Sequence, residues 1–74
     1  MKKRYEYKDP GTNSYKFWEI SLKEKQITLT YGRIGIKKPA SIVKKFKGKN
    51  ASKDAKKFAE SKIREKVNKG YIEK

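Results

Sequence analysis

The sequence has no cysteine and no histidine among its 74 residues. Without cysteine no disulfide framework can form, and nothing indicates an oxidising compartment. Without either residue type, neither a zinc site with the usual ligands nor a Ser–His or Cys–His nucleophile pair can be built. The 8 acidic residues are scattered along the chain, and no glycine-rich phosphate loop is present. We therefore expect no enzyme activity, no metal site and no cofactor.

Long apolar runs are also missing. No stretch approaches the roughly 18 apolar residues that a membrane-spanning helix needs. Residues 1–4 are basic, as in a secretion signal, but residues 5–9 are polar where such a signal requires an apolar core. We expect no membrane association and an intracellular protein, cytoplasmic and associated with the nucleoid in a bacterium or nuclear in a eukaryote.

The supply of hydrophobic residues limits the size of the core. They make up 34% of the chain, against 41% charged residues. A chain this short buries only about 60% of the surface that it exposes when unfolded. We therefore assign residues 1–74 to a single domain, expect a monomer, and expect a core formed by one sheet face and one helix stripe.

Negative charge is scarce. Lysine and arginine number 22 against 8 acidic residues, which gives a net charge of +14. From Lys25 to Lys53 inclusive there are nine basic residues and no acidic one. Such charge density causes self-repulsion, and a polyanionic partner is the usual reason that a chain tolerates it. The alternative is a lysine-rich surface that reflects only a lysine-biased proteome.

Hydrophobic periodicity predicts a mixed fold. Alternating apolar and polar residues predict strands over residues 3–8, 15–22, 26–31 and 40–46, the third of them breaking at Gly32. A short return strand is expected at residues 71–72. A helix over residues 51–69 is predicted from an apolar stripe at three- and four-residue steps. The stripe consists of Ala51, Ala55, Phe58, Ala59, Ile63 and Val67.

The ends of this helix carry recognisable signals. Asn50 or Ser52 can cap its start, and Gly70 can end it in a left-handed conformation. The expected architecture is therefore α+β, a small antiparallel sheet of four to five strands packed on one long C-terminal helix.

Residues 30–35, Thr-Tyr-Gly-Arg-Ile-Gly, resemble the WGR domain, a module named for a Trp-Gly-Arg triplet, with Tyr31 in place of the tryptophan. Residues 13–20 are similar to its second strand, and residues 54–71 to its helix and Lys-Gly-Tyr close. The resemblance covers about residues 3–73 and implies a WGR-like fold. The family occurs in DNA-damage-responsive poly(ADP-ribose) polymerases and in bacterial proteins. The resemblance implies that this protein binds DNA beside a strand end, is linked to DNA repair and has no catalytic activity of its own.

The triplet Tyr31, Gly32 and Arg33 is the first candidate site. Arg33 has no acidic neighbour in the sequence, and a guanidinium beside glycines can bind a phosphate through two hydrogen bonds. The alternative is a surface arginine with a loose ion pair. The resemblance implies that Tyr31 stacks on a terminal sugar, whereas its parity with Ile27 and Leu29 is equally typical of a core or edge aromatic residue.

The remaining candidates are two residues aligned with the family and six lysines. The resemblance implies that Asn13 and Tyr71 lie near the DNA. The structural alternatives are that Asn13 forms a local hydrogen bond in a turn and that Tyr71 closes the core. A run of lysines usually forms only a solvated surface. Lys44 and Lys45 are adjacent in a predicted strand and so cannot both lie on one face of the sheet. The lysine candidates are Lys37, Lys38, Lys44, Lys45, Lys47 and Lys49.

These observations predict a nucleic-acid-binding module that contacts the phosphate backbone and stacks an aromatic ring, with little sequence specificity. DNA is favoured over RNA because no RNA-recognition signature is present. Strand ends or nicks are the expected targets. The alternative is a protein–protein interaction module whose basic face meets an acidic partner or a catalytic domain.

Overall fold

The computed structural model describes residues 1–74 as one five-stranded antiparallel sheet with a helix on one face. In chain order the elements are β1 (Lys2–Asp9), a 3-10 turn (Pro10–Thr12), β2 (Ser14–Lys23), β3 (Gln26–Arg33), β4 (Ala40–Lys45), α1 (Ala51–Asn68) and β5 (Ile72–Glu73). The strands lie in the sheet in the order β4-β3-β2-β1-β5. The α+β architecture expected from the sequence is confirmed.

A two-residue turn sets the register of the central hairpin. Lys23 pairs with Gln26 across the turn, and Glu24 has a φ of 55°, as tight hairpin turns require. The same register places Trp18 opposite Tyr31 near the other end of the hairpin. The central aromatic pair of the sheet is therefore fixed by local turn geometry.

The core lies between the helix and one face of the sheet. Tyr5, Trp18, Ile20 and Ile27 supply the sheet side and are 0–3% exposed. On α1, only the alanines at positions 51, 55 and 59 are fully buried. Because an alanine side chain is small, the first part of the helix can approach the sheet closely. Larger side chains complete the margin of the core, namely Leu22, Leu29, Phe46, Phe58, Ile63 and Tyr71.

The opposite sheet face carries an ion network over an aromatic ring. The Arg4 guanidinium lies 4.4 Å from the ring centroid of Phe17. It also donates to Glu6 at 3.0 Å and to Glu19 at 2.8 Å. Hydrogen bonding to Arg4 lowers the pKa of Glu6 below its usual range, despite an opposing effect of desolvation. Two of the few carboxylates are thus neutralised on the face that lies away from the helix.

Several strand bounds differ from expectation. β1 and β2 each extend one residue further at both ends than predicted, and β5 covers Ile72–Glu73 rather than residues 71–72. β3 does not break at Gly32 but remains paired with β2 through Arg33. The pairing continues because β2 extends far enough for Phe17 to lie opposite Gly32 and Lys16 opposite Arg33. β4 ends at Lys45, one residue before the predicted end.

Three predictions for the helix are wrong in detail. It ends at Asn68 rather than at Lys69. Asn50 is the N-cap residue but its side chain makes no capping bond; only its carbonyl takes part, accepting from the Asp54 N–H at 2.8 Å. Val67 is 51% exposed, so the apolar stripe does not extend to the last turn.

Gly70 ends the helix as predicted. It has a φ of 101°, and the Tyr71 N–H donates to the Lys66 carbonyl at 3.0 Å. The Gly70 N–H donates to the Val67 carbonyl, also at 3.0 Å. These two bonds form a Schellman motif. A Cβ atom at Gly70 would in addition lie 3.2 Å from Cε2 of Tyr7.

This geometry predicts the cost of a substitution at Gly70. Gly70→Ala should lower the free energy of unfolding by more than about 1 kcal/mol, because it adds backbone strain and contact with Tyr7. Gly48→Ala is the matched control, since Gly48 also has a positive φ of 105° but open space around it. Urea unfolding of the two variants measures the difference. Equal losses would contradict the packing of Tyr7 against this turn.

Candidate nucleic-acid interface

A groove of about 410 Å³ opens between the sheet and the second half of α1. It begins where the buried alanines end, because the next inward helix positions carry longer side chains. Its wall on the sheet side includes Trp18, Leu29 and Tyr31, and its wall on the helix side includes Lys62 and Lys66. The complete lining is Lys16, Phe17, Trp18, Leu29, Tyr31, Gly32, Arg33, Ile42, Lys62, Glu65, Lys66 and Tyr71.

Positive charge dominates the groove. Four of the lining side chains are cationic and one is a carboxylate, that of Glu65. Glu65 already lies 3.7 Å from the ammonium of Lys62 and 3.6 Å from that of Lys69. The other acidic residues do not line the groove. An anion that entered it would therefore meet a local excess of positive charge on a largely aromatic floor.

Lys66 is the most constrained of these cations. Its Nζ lies 5.2 Å from the ring centroid of Tyr71 and 5.8 Å from that of Trp18. Loss of hydration lowers the pKa of Lys66 below its ordinary value, and nearby Lys69 adds to the effect. The ammonium is thus partly dehydrated and has aromatic faces as its neighbours, a setting in which a phosphate oxygen would be a favourable partner.

The turn after β3 presents Arg33 at the mouth of the groove. Its side chain is exposed and takes part in none of the ion pairs of the protein. The Ile36 N–H donates to the Arg33 carbonyl at 3.1 Å, which folds the chain back over Gly32. A Cβ atom at Gly32 would lie 3.1 Å from Cγ2 of Ile36. A larger residue in the triplet would therefore force Ile36 to shift by a few tenths of an ångström.

The two tyrosines predicted at the site both line the groove. Tyr31 is 39% exposed, so it is a partly exposed aromatic residue rather than a buried core residue. Tyr71 is half-buried, and its ring centroid lies 5.5 Å from that of Tyr7. Burial raises the pKa of Tyr71. Tyr71 thus closes the core and contributes to the groove at the same time.

The six predicted lysines do not converge on this groove. Lys44 lies over the ring of Phe58, 4.4 Å from its centroid, on the helix side of the sheet. Lys45 pairs with Gln26 beside the hairpin turn, about 23 Å along the strand from Arg33. Lys47 lies near that same turn. Lys37 and Lys38 lie in the connection from β3 to β4, and Lys49 lies just before α1.

Asn13 lies at the same end of the sheet as Arg33. It follows the 3-10 turn with a φ of 54°, and its N–H donates to the Pro10 carbonyl at 3.2 Å. The Tyr15 carbonyl accepts from the Ile34 N–H at 2.9 Å, which ties the start of β2 to the β3–β4 connection. Asn13 therefore has the expected local role in a turn and does not line the groove.

Sequence reasoning missed three of the four groove cations: Lys16, Lys62 and Lys66. A signal existed for Lys16, because a two-residue turn after Lys23 pairs Lys16 with Arg33. Lys62 and Lys66 are one helical turn apart and share a face. The sequence did not say where the helix crosses the sheet, so these two residues were not placed.

The groups that line the groove suit the binding of an anionic ligand. The acidic side chains form no cluster of three or more that would hold a metal ion, and no helix has the length and apolarity needed to cross a membrane. What the groove offers is a set of ammonium groups, one unpaired guanidinium and exposed aromatic faces. These groups bind phosphates and planar or sugar rings.

The environment of Lys66 makes a prediction that NMR can test. Its pKa, followed through the side-chain carbon resonances, should lie below that of a lysine in an unstructured peptide because of desolvation. Addition of a short oligonucleotide should raise the pKa of Lys66, since a nearby anion favours the ammonium form. An ordinary pKa that does not change with the oligonucleotide would contradict this placement of Lys66.

Comparison with known proteins adds independent findings. A family model described as the WGR domain matches residues 1–74. Among solved structures, the chain is similar to a crystal structure of a protein from Bacteroides fragilis, with a TM-score of 0.86 and 32% identity. That match covers 100% of this chain but 19% of the other, so this chain spans about a fifth of that protein's length. A search of curated proteins finds no match.

The family match extends over the segments whose resemblance the sequence suggested. WGR domains are small binding modules, and the match indicates no catalytic family. Membership is consistent with a nucleic-acid or protein-interaction module. With Tyr31, Gly32 and Arg33 as its triplet, the chain belongs to the WGR domain family.

Proposed function

We propose that this protein binds nucleic acid, DNA in preference to RNA, with the groove beside Tyr31 and Arg33 as its principal contact. The observation that carries the proposal is the unbalanced charge of the groove, where four cations are accompanied by one carboxylate, Glu65, which pairs with Lys62 of the groove and with Lys69. The net charge of +14 supports it, because long-range attraction would concentrate a polyanion near the surface.

Each group at the groove has a distinct role in this proposal. Lys16, Lys62 and Lys66 neutralise backbone phosphates as point charges. Arg33 binds a phosphate through two parallel hydrogen bonds, for which its guanidinium is free. Tyr31 lays its exposed face on a sugar or a base. None of these contacts reads a base edge in a groove of the duplex, so little sequence preference is expected.

Strand ends and nicks are the proposed targets. Within a continuous duplex the faces of each base pair are covered by its neighbours, whereas a terminal nucleotide leaves one face accessible. The Tyr31 ring lies opposite Trp18 in the sheet and lines the groove together with Lys62 and Lys66 of the helix, so it can stack on a nucleotide that projects into the groove. The preference for DNA rests on the family and on the lack of an RNA-recognition signature.

Protein–protein interaction is the second candidate, because exposed Arg33 and the lysines would equally suit an acidic surface. The two functions differ in one consequence. If the partner is a protein, Arg33→Ala abolishes that complex and leaves nucleic-acid affinity close to that of the wild type.

Salt dependence tests the electrostatic part of the proposal. With about four to six phosphates neutralised, log K for a labelled duplex should fall with log salt with a slope of about −4 to −5. Arg33→Ala should weaken binding and reduce that slope by about 1. Fluorescence anisotropy over a range of potassium chloride concentrations measures both quantities.

Arg64→Ala is the matched control, since Arg64 is an exposed arginine of α1 that does not line the groove. It removes the same charge and should change affinity much less than Arg33→Ala. Equal effects of the two variants would show that net charge alone drives binding. Affinity that does not depend on salt would rule out the electrostatic mechanism altogether.

Substitution of Tyr31 tests the stacking contact. Tyr31→Ala should weaken binding to a linear duplex by about 1–3 kcal/mol, whereas Tyr31→Phe keeps the ring and should remain near the wild type. On a covalently closed circular duplex of matched length Tyr31→Ala should have little effect, because no terminal nucleotide is available. Competition binding with the two duplexes provides the measurement.

Two outcomes would change the conclusion. Equal affinity of the wild type per site for circular and linear DNA would reject the preference for ends and leave general duplex binding. Loss of binding in Tyr31→Phe as well would assign the effect to the hydroxyl group rather than to stacking.

A further inference from the structure

Strand β4 forms an uncovered edge of the sheet. It pairs only with β3, and nothing lies on its other side. Every residue from Ala40 to Lys45 is exposed. The opposite edge differs, because β5 adds to β1 at Tyr5 and Glu6. A free edge exposes a row of unpaired backbone donors and acceptors that can accept another strand.

Hydrogen bonding identifies which backbone groups are free. The Phe46 N–H donates to the Lys25 carbonyl at 2.8 Å, so the backbone of Phe46 points toward β3. Because these groups alternate along an antiparallel strand, those of Ile42 and Lys44 also point toward β3. The N–H and carbonyl groups of Val43 and Lys45 therefore point outward, away from the sheet.

The side chains along this edge pair apolar surface with positive charge. Ile42 is 48% exposed and Val43 is 54% exposed, and they lie on opposite faces of the strand. Lys44 and Lys45 follow in the same alternation. No acidic residue occurs between Lys25 and Lys53 in the sequence, so no nearby carboxylate of the same segment offsets them.

We propose that β4 binds an extended acidic segment of a partner protein, which adds to the sheet as a sixth strand. Backbone hydrogen bonds to Val43 and Lys45 hold the segment, as in other cases of strand addition. Apolar side chains of the segment pack on Ile42 and Val43, and carboxylates lie opposite Lys44 and Lys45. A second copy of this chain is a poor occupant, because each copy carries a net charge of +14.

This surface shares only Ile42 with the groove and does not include Arg33 or Tyr31. The free backbone groups of β4 face outward in the plane of the sheet, whereas the groove lies between the sheet and the helix. The proposal that β4 binds a partner strand can therefore be tested independently of nucleic-acid binding. Arg33→Ala should leave peptide binding unchanged, and loss of the outward edge should leave duplex binding unchanged.

The probe is a fluorescein-labelled peptide, acetyl-Ser-Glu-Glu-Val-Val-Glu-Glu-Ser-amide, whose near-symmetric order suits either strand direction. Two derivatives carry N-methyl groups on alternate backbone amides, one at the even-numbered residues and the other at the odd-numbered residues. Both keep the charge of the parent peptide. Methylation in the phase that faces β4 should weaken binding about tenfold or more, because about two hydrogen bonds are lost. Methylation in the other phase should have much less effect. Equal binding of the two derivatives, or no binding of the parent peptide, would overturn the proposal.

A protein variant provides a second test. Val43→Pro removes an outward N–H that β3 does not use, and proline is tolerated at such edge positions. Its affinity for the peptide should fall about tenfold, whereas Val43→Thr, which keeps the N–H, should stay near the wild type. Unchanged affinity of a folded Val43→Pro variant would count against strand addition.

Hydrogen exchange of the unmodified protein does not depend on how any variant folds. Saturating peptide should slow amide exchange at Val43 and Lys45 more than at Ile42 and Lys44, whose amides already face β3. Protection that does not alternate in this way would contradict the proposed docking mode.

Discussion

The close packing of α1 against the sheet through alanine side chains is the constraint on which the rest of the structure depends. Ala51, Ala55 and Ala59 are all 0% exposed, so the first turns of the helix lie almost directly on the strands. Beyond Ala59, Ile63 still packs at the margin of the core, whereas Lys62 and Lys66 line the groove. The groove occupies the space between these longer side chains and the sheet.

Charge separation follows from the same arrangement. The alternation of side chains along β1 and β2 places Glu6 and Glu19 on the far face of the sheet, where they pair with Arg4. The groove face receives Lys16, Arg33 and the helix lysines with little compensation. The protein pays for this in desolvation at Lys66, whose pKa is lowered. Perturbed pKa values cluster at functional sites, which is consistent with the proposed role of Lys66.

The sequence predicted most of the fold because its determinants are local. Strand alternation, the turn after Lys23 and the capping glycine Gly70 each act over a few residues. The site was predicted less completely, since it depends on how the helix lies across the sheet. Tyr31 and Arg33 followed from the family triplet, whereas Lys62 and Lys66 needed the tertiary structure. Lys45 and Lys47, near the hairpin turn, carry the same positive charge as the groove cations but lie outside the groove.

Chemical-shift mapping by NMR tests the central claim most directly. Titration of the isotopically labelled protein with a short DNA duplex should shift the resonances of Tyr31, Arg33 and Lys66 together, at one common affinity. The resonances of the outer face of the helix, such as those of Arg64, should change little. Shifts spread evenly over all lysines, or confined to the end of the sheet near Lys45, would contradict a binding site in the groove.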